Sequence, residues 1–165
     1  MAILQRGIQF DEETTTHLRQ AHLKPYPRVR EGQLLACHGV RAAIDLSDGL
    51  ASDLAKLCKA SKVGARLFID QIPIHPSVRN SFRDDYLYLA LAGGEDYELL
   101  FTGSSKVMDK VRELLPCPMS VIGDIVSDEL GKVMLFDDQG KEIKLEKEGW
   151  DHFAPKNTNE LSLPD

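Results

Sequence analysis

The sequence predicts an α/β or α+β domain in which helices cover a mixed β-sheet. Segments with strand patterns alternate with segments of helical apolar spacing through most of the chain, and a hairpin pattern comes late. The 165 residues are 42% hydrophobic and 28% charged, which is ordinary for a globular protein with a core of its own. There is no internal repeat and no low-complexity segment.

The first elements predicted are a short helix and an extended arm. Residues 11–23 have a helical pattern that starts at Asp11, a good cap residue. Pro25 and Pro27 end this helix and favour an extended arm over residues 24–29, because proline restricts both its own backbone and that of the preceding residue.

A strand, a turn and a helix follow. Residues 40–46 predict a strand and residues 47–49 a turn. The apolar positions after the turn have helical spacing and predict a helix that ends at Gly64; they are Leu50, Leu54, Leu57 and Cys58.

The remaining elements continue the alternation. Ser104 is predicted to begin a helix that Pro116 ends. The other predicted elements are strands over residues 65–69, 97–102 and 119–126, partial helix over 77–91, and a hairpin of 132–136 with 142–145.

Domain organisation is predicted in three parts. Residues 1–30 hold the N-terminal helix and the Pro-rich arm, residues 31–153 form the domain, and residues 154–165 form a polar, disordered tail.

Composition excludes several classes of function. The formal net charge of −6 disfavours nucleic-acid binding, although an acidic protein can handle phosphates when magnesium supplies positive charge. The three cysteines are widely spaced, so they suggest neither a zinc site nor a disulfide framework, and they fit a reducing cytoplasm. Cys58 is interpreted as core filler. No apolar run approaches the roughly 18 residues of a membrane helix.

The first candidate site is the turn of Ser47, Asp48 and Gly49, which follows Asp45 at the end of a strand and precedes a helix. A helix N-terminus offers free N–H groups and suits a phosphate. Asp45 and Asp48 would repel that phosphate unless a cation such as magnesium lay between them. Alternatively, Ser47 or Asp48 only caps the helix and Asp45 only bonds within the turn.

The second candidate is the run from Gly93 to Leu99, in which two glycines precede three acids around Tyr97. Glycines let a backbone approach a ligand closely. In a strand, Glu95 and Tyr97 would share one face, and Asp96 and Glu98 the other. One of these pairs could therefore face a ligand while the other pair is solvated or structural. The alternative is a glycine turn followed by a solvated, acidic strand start.

The third candidate is residues 149–153, which contain Trp150 and His152. Trp150 would stack on a flat aromatic ligand or else serve in packing. A lone histidine is more often structural than catalytic. The sequence carries no phosphate loop with Gly-Lys-Ser/Thr, no Rossmann glycine pattern and no Gly-x-Ser-x-Gly motif.

Taken together, residues 22–29, 43–50, 93–100 and 149–153 resemble the corresponding segments of the thiamine-monophosphate kinase family. The Ser-Asp-Gly turn occurs across the wider superfamily that includes aminoimidazole ribonucleotide synthetase, whereas the Gly-Gly-Glu-Asp-Tyr-Glu-Leu run is more particular to the kinase. The resemblance implies the C-terminal domain type of aminoimidazole ribonucleotide synthetase and the ATP- and Mg²⁺-dependent conversion of thiamine monophosphate to thiamine diphosphate by direct in-line transfer.

The resemblance also implies roles for individual residues. Asp45 and Asp48 would bind Mg²⁺, Ser47 would contact ATP, and Glu95 and Trp150 would contact the thiamine substrate. The family's enzymes have an N-terminal half that carries most of the nucleotide pocket and the dimer surface. The chain is therefore expected to be inactive without a partner half, and the complete enzyme is expected to be a homodimer.

Two other functions remain open at this stage. A stand-alone module would bind thiamine phosphates or another nucleotide without turnover. Another reaction of the superfamily, such as ring closure or selenium activation, is disfavoured by the run from Gly93 to Leu99.

Overall fold

Helices and strands alternate along residues 10–83 and 85–143, which are the residues that the structure, a computed structural model, describes. The helices are α1 (Glu12–Leu23), α2 (Val29–Cys37), α3 (Leu50–Ser61), α4 (Pro76–Ser81), α5 (Tyr86–Ala92) and α6 (Ser105–Leu114). The strands are β1 (Ala42–Asp45), β2 (Gly64–Phe68), β3 (Leu99–Thr102), β4 (Gly123–Val126), β5 (Val133–Phe136) and β6 (Glu142–Ile143). A short 3₁₀ turn, Ile69–Gln71, follows β2.

The strands of the described chain form two sheets. The larger has the order β4-β2-β5-β6, with β2 parallel to β5 and antiparallel to β4, and with β5 antiparallel to β6. This sheet is mixed, as the sequence predicts. β1 and β3 form a separate antiparallel pair in which Ile44 lies opposite Leu100, whereas the sequence predicts only one sheet.

The main core forms around α3. Leu50, Leu54 and Cys58 recur every four residues, so they share one face of the helix, and each is buried. They pack with buried residues of the larger sheet, Leu67 and Leu135 among them. Cys58 is therefore core filler, as predicted, and burial raises the pKa of its thiol.

A second cluster lies on the other side of the β1–β3 pair. Its buried members are Leu35 of α2, Val111 of α6, and Val40, which precedes β1. Successive residues of β3 face opposite sides, so Leu100 joins the main core while Leu99 and Phe101 pack on the second cluster. The β1–β3 pair thus lies between two apolar cores.

Several sequence predictions of elements are confirmed. Asp11 caps α1 by accepting a hydrogen bond from the Thr14 N–H at 2.7 Å. The helix after Gly49, the partial helix over residues 77–91 and the helix that follows Ser104 are all present. The hairpin is present as β5 and β6, with residues 144 and 145 outside the described residues.

Other element predictions are wrong. The extended arm ends at Arg28, because α2 begins at Val29. The sequence does not indicate the start of this helix, because the helix lacks a side-chain cap and follows two prolines that favour an extended chain. Gly64 does not end α3, since Lys62 adopts the left-handed conformation at the helix end and Gly64 begins β2. The predicted strand over residues 119–126 starts only at Gly123.

No helix in the described ranges combines the length and the hydropathy that a membrane crossing requires. The predicted polar tail, residues 154–165, lies outside the described residues.

Candidate functional site

The turn between β1 and α3 depends on Gly49. Its φ of 118° lies in a region that other residues rarely adopt. A Cβ at this position would also lie 3.1 Å from the carbonyl oxygen of Leu91. Glycine therefore permits both the turn and its close contact with the end of α5.

Asp53, in the first turn of α3, holds the backbone of this turn. Its side chain is 1% exposed, and its Oδ2 accepts hydrogen bonds from the N–H groups of Ser47, Asp48 and Gly49 at 2.9, 2.9 and 3.2 Å. Gly49 occupies the cap position and makes no side-chain cap. The alternative in which Ser47 or Asp48 caps the helix is therefore wrong, because the cap residue is Gly49 and no side chain makes a cap hydrogen bond there. The Asp53 carboxylate instead binds the three N–H groups that precede the helix.

Lys56 links two aspartates on one side of α3. Its Nζ donates to Oδ1 of Asp53 at 2.8 Å and also to Oδ2 of Asp48. Burial raises the pKa of Asp53, but the hydrogen bonds from Lys56 and from the backbone N–H groups of Asp48 and Ser47 outweigh it, and the net pKa is lowered. The same contacts with Asp48 and Asp53 raise the pKa of Lys56.

The second motif lies directly against the first. The N–H groups of Glu95 and Tyr97 donate to the carbonyls of Ser47 and Leu46 at 2.9 and 2.8 Å, and the Leu46 N–H donates to the carbonyl of Glu98 at 2.9 Å. At Gly94, a Cβ would lie 2.5 Å from the Ser47 carbonyl oxygen. The absence of a side chain there permits the close pairing of the two motifs.

Residues 97 and 98 do not belong to the strand predicted over residues 97–102, because β3 begins at Leu99. Glu95 and Tyr97 have φ angles of 73° and 51°, in the left-handed region that residues other than glycine adopt only at a cost in free energy. The prediction that Glu95 and Tyr97 share one face of a strand therefore does not hold. The chain instead winds tightly around the carbonyls of the first motif.

Arg28 fastens the Pro-rich arm to the acidic run. Its Nε and Nη2 each bond a different oxygen of the Glu98 carboxylate at 2.8 Å, a bidentate pair across 70 residues of sequence. Its guanidinium also lies 5.2 Å from the centroid of the Tyr26 ring. The bond to Glu98 is the main reason that the pKa of Arg28 is raised.

A buried carboxylate, Glu31, lies behind this pair. Its residue is 5% exposed, and its Oε1 is 3.8 Å from Nη1 of Arg28. Its Oε2 is buried and accepts no hydrogen bond from the described chain. Arg28 is therefore shared between two carboxylates of unequal burial.

An open cleft of about 540 Å³ joins these parts. Its lining is mostly apolar and aromatic, with Asp45 and Arg28 as its charged residues; the members are Pro25, Tyr26, Pro27, Arg28, Val29, Gly32, Asp45, Tyr97 and Leu99. The cleft thus brings the arm, the end of β1 and the acidic run to one place. In the same run, desolvation by the surrounding chain raises the pKa of Asp96, and the charge of Glu98 raises it further.

The site residues predicted from sequence are partly brought together. Asp45 lines the cleft, Ser47 and Asp48 form the adjoining turn, and Glu95 pairs with that turn through its backbone. The Glu95 carboxylate lies 3.7 Å from Nδ1 of His22, near the end of α1. Trp150 and His152 lie outside the described residues.

The same residues offer few ligands for a metal ion. In residues 10–83 and 85–143, no group of three or more His, Cys, Asp or Glu side chains is arranged to hold one. Asp45 is available at the cleft, whereas Asp48 is bound to Lys56. The described residues would therefore offer Mg²⁺ at most two carboxylates, a number that Mg²⁺ accepts when phosphate oxygens and waters complete its shell.

Sequence reasoning missed four residues of this site: Tyr26, Arg28, Asp53 and Lys56. Asp53 carries a local signal, since an acid near the start of a helix can reach back to the N–H groups of the cap residue and of the turn before it. Lys56 follows Asp53 at the spacing of a helical ion pair. The partnership of Arg28 with Glu98 carries no local signal, because only the tertiary fold brings the two together.

Comparison with known proteins gives one family and several relatives. The family model described as AIR synthase related protein, C-terminal domain, matches residues 1–135. A thiamine-monophosphate kinase of Salmonella typhimurium is 41% identical over an alignment of 159 residues that covers 93% of this chain and 48% of that protein. The chain therefore spans about half the length of the curated relatives it matches.

Solved structures give the same result. The thiamine-monophosphate kinase from Stenotrophomonas maltophilia superposes with a TM-score of 0.71 at 32% identity, covering 86% of this chain and 46% of that one. A structure described as AaThiL complexed with AMPPCP and TMP superposes with a TM-score of 0.72 at 28% identity, covering 92% of this chain and 46% of that one. These matches confirm the predicted fold type and the resemblance stated from the sequence motifs.

Proposed function

The chain belongs to the family of AIR synthase related proteins through their C-terminal domain, and from this premise we propose that it forms the C-terminal part of a thiamine-monophosphate kinase. The observation that carries the proposal is the backbone pairing of Ser47 and Leu46 with Glu95 and Tyr97, which joins the two motifs beside the cleft. The relatives named for this activity match 93% of the chain. The proposed reaction transfers a phosphoryl group from ATP to thiamine monophosphate.

The proposal assigns roles to individual residues. Asp45 and Asp48 bind Mg²⁺, and Ser47 contacts the ATP phosphates at the N-terminal end of α3. When bound, Mg²⁺ neutralises charge on the phosphates during in-line transfer. Asp48 must share its carboxylate with Lys56 or exchange partners for this role. The structure described with AMPPCP and TMP supports ATP and thiamine monophosphate as the two substrates.

Glu95 and Trp150 are proposed to recognise the thiamine moiety. A carboxylate can pair with the cationic thiazolium or accept a bond from the aminopyrimidine, and an indole can stack on either ring. Glu95 supports this role because its side chain is half-exposed beside the first motif.

Assembly and location belong to the same proposal. The chain spans 48% of its Salmonella relative, so we propose that it acts with a second half of comparable size, in a homodimer. Its three cysteines are all unpaired, which supports a reducing, cytoplasmic compartment.

A chimera tests the activity. The matched half of the Salmonella typhimurium kinase is replaced by this chain, and thiamine diphosphate formation is followed with ATP and Mg²⁺. We expect turnover in the chimera and none from the isolated chain, because positioning and charge neutralisation need both halves. Asp45→Asn and Asp48→Asn should each lower turnover about 100-fold or more, whereas Asp124→Asn on β4 should not. Equal activity in all three variants would contradict the metal-binding roles.

A fluorescence titration tests substrate recognition and the binding-module alternative. Trp150 is the only tryptophan of the chain. Addition of thiamine monophosphate to the chain or to the chimera should change the fluorescence emission of Trp150. Glu95→Gln should make this change in emission smaller. A spectral response in the chain together with an inactive chimera would favour a binding module without turnover. No response at substrate concentrations that saturate the chimera would remove Trp150 from the site.

A further inference from the structure

Lys56 occupies a position that no part of the proposed reaction explains. It projects from the second turn of α3 and bonds both Asp48, on the site turn, and the buried Asp53. Its side chain is 49% exposed and that of Asp48 is 41% exposed, so the pair lies at the surface of the site and not within the core.

Asp53 fixes Lys56 in place. Asp53 is 1% exposed, its Oδ2 is fully engaged by three backbone N–H groups, and its Oδ1 is left for Lys56. A buried carboxylate with one free oxygen strongly favours a cation beside it. The ammonium group is thereby held where it reaches the Asp48 carboxylate without any further movement.

We infer that Lys56 is an internal counter-cation for Asp48 and competes with a divalent cation for that carboxylate. The inference rests on the proposed function, in which Asp48 binds the metal. A cation bound at Asp48 meets the positive charge of Lys56 at close range, so each weakens the binding of the other. Lys56 is therefore a positioning residue that sets the metal affinity of the turn and keeps Asp48 neutralised when no metal is bound.

Binding of Mn²⁺ to the chain, followed by the electron paramagnetic resonance signal of the free ion, tests the competition. Mn²⁺ accepts the same oxygen ligands as Mg²⁺. Lys56→Met keeps the length of the side chain and removes its charge, so it should tighten Mn²⁺ binding by about fivefold. Lys56→Arg should restore the wild-type affinity. A merely structural role for Lys56 would weaken Mn²⁺ binding in the Met variant or leave it unchanged.

Two outcomes separate this inference from the proposed function. Binding that is lost in Asp48→Asn but unchanged in Lys56→Met would overturn the competition and leave the metal site standing. Absence of Mn²⁺ binding in every variant would overturn both the metal site and the competition.

A second measurement examines the pair without metal. Asp48→Asn and Lys56→Met are compared singly and together by urea unfolding in chelator. If Lys56 neutralises Asp48, the double variant should lose less stability than the sum of the two single losses. Strict additivity would show that the two charges do not interact, and the inference would fail on that result alone.

Discussion

Asp53 is a buried carboxylate that organises three consecutive backbone N–H groups and one lysine. An amide cannot replace it, because its one carbonyl oxygen can serve the backbone while its NH₂ group then faces the Lys56 ammonium, donor against donor. We predict that Asp53→Asn destabilises the chain by about 1–3 kcal/mol. Urea unfolding monitored by circular dichroism would measure it, with Asp124→Asn as the exposed control. An unchanged midpoint would show that these hydrogen bonds do not stabilise the chain.

Asp96 gives a prediction about pH. Desolvation and the charge of Glu98 raise its pKa in the folded chain. For an acid with a raised folded pKa, stability is fully present below the unfolded value of about 3.9 and is lost as pH rises through the folded value. Asp96→Asn should therefore raise the urea midpoint at pH 7 and have no effect near pH 3.

The matched control is Asp109→Asn, at an exposed position of α6. It should lack the increase at pH 7. A midpoint for Asp96→Asn that is equal to or below the wild-type midpoint at pH 7 would show that ionised Asp96 is favourable where it lies.

At the scale of elements, one side chain of the Pro-rich arm makes ion pairs with two carboxylates. Arg28 joins the arm to the acidic run through Glu98 and also neutralises the buried Glu31. Removal of the guanidinium in Arg28→Met should cost about 1–3 kcal/mol, because Glu31 is then buried without a cation. Glu31→Gln in the same chain should recover part of that loss.

Urea midpoints of the two single variants and the double variant measure this coupling. Additive losses would mean that Arg28 stabilises the arm through Glu98 alone. Arg28→Lys should recover little, since a lysine cannot bond both oxygens of Glu98 in the planar geometry of arginine.

Sequence patterns predict the elements that carry their own signals. The apolar spacing of Leu50, Leu54 and Cys58 gives α3 directly, and Asp11 gives the start of α1. α2 was not predicted, because its N-terminal residue has no side-chain cap and one of its two buried residues is the carboxylate Glu31. The left-handed backbone of Glu95 and Tyr97 was not predictable either, since it follows from hydrogen bonds to residues about 50 positions away.

The candidate site divides in the same way. The residues of the two motifs were found from their order and chemistry, and Ser47 and Glu95 do meet through the backbone. Lys56 was missed as a partner of Asp48, although its spacing from Asp53 is a helical ion-pair signal. The cleft itself depends on the packing of the arm, and no local pattern describes that packing.

At the scale of the whole molecule, α3 connects the site turn to the main core. Leu54, 3% exposed, lies one residue after the buried Asp53. Leu54→Ala should destabilise the chain by about 2–5 kcal/mol, because it leaves a cavity between the helix and the larger sheet. Urea unfolding would measure the loss, and Leu130→Ala, at a residue 64% exposed, is the control. Equal midpoints for the two variants would contradict the central place of α3.

The bonds between the buried Asp53 carboxylate and the turn have a consequence for the rate of amide hydrogen exchange. The amide hydrogens of Ser47, Asp48 and Gly49 are bonded to a carboxylate that is 1% exposed and belongs to α3, a helix packed into the main core. Their exchange with deuterium should therefore be as slow as that of the central strand β2 and should accelerate with urea at the slope of global unfolding. The turn that would receive the phosphates should thus exchange among the slowest parts of the molecule, although it lies next to an open cleft.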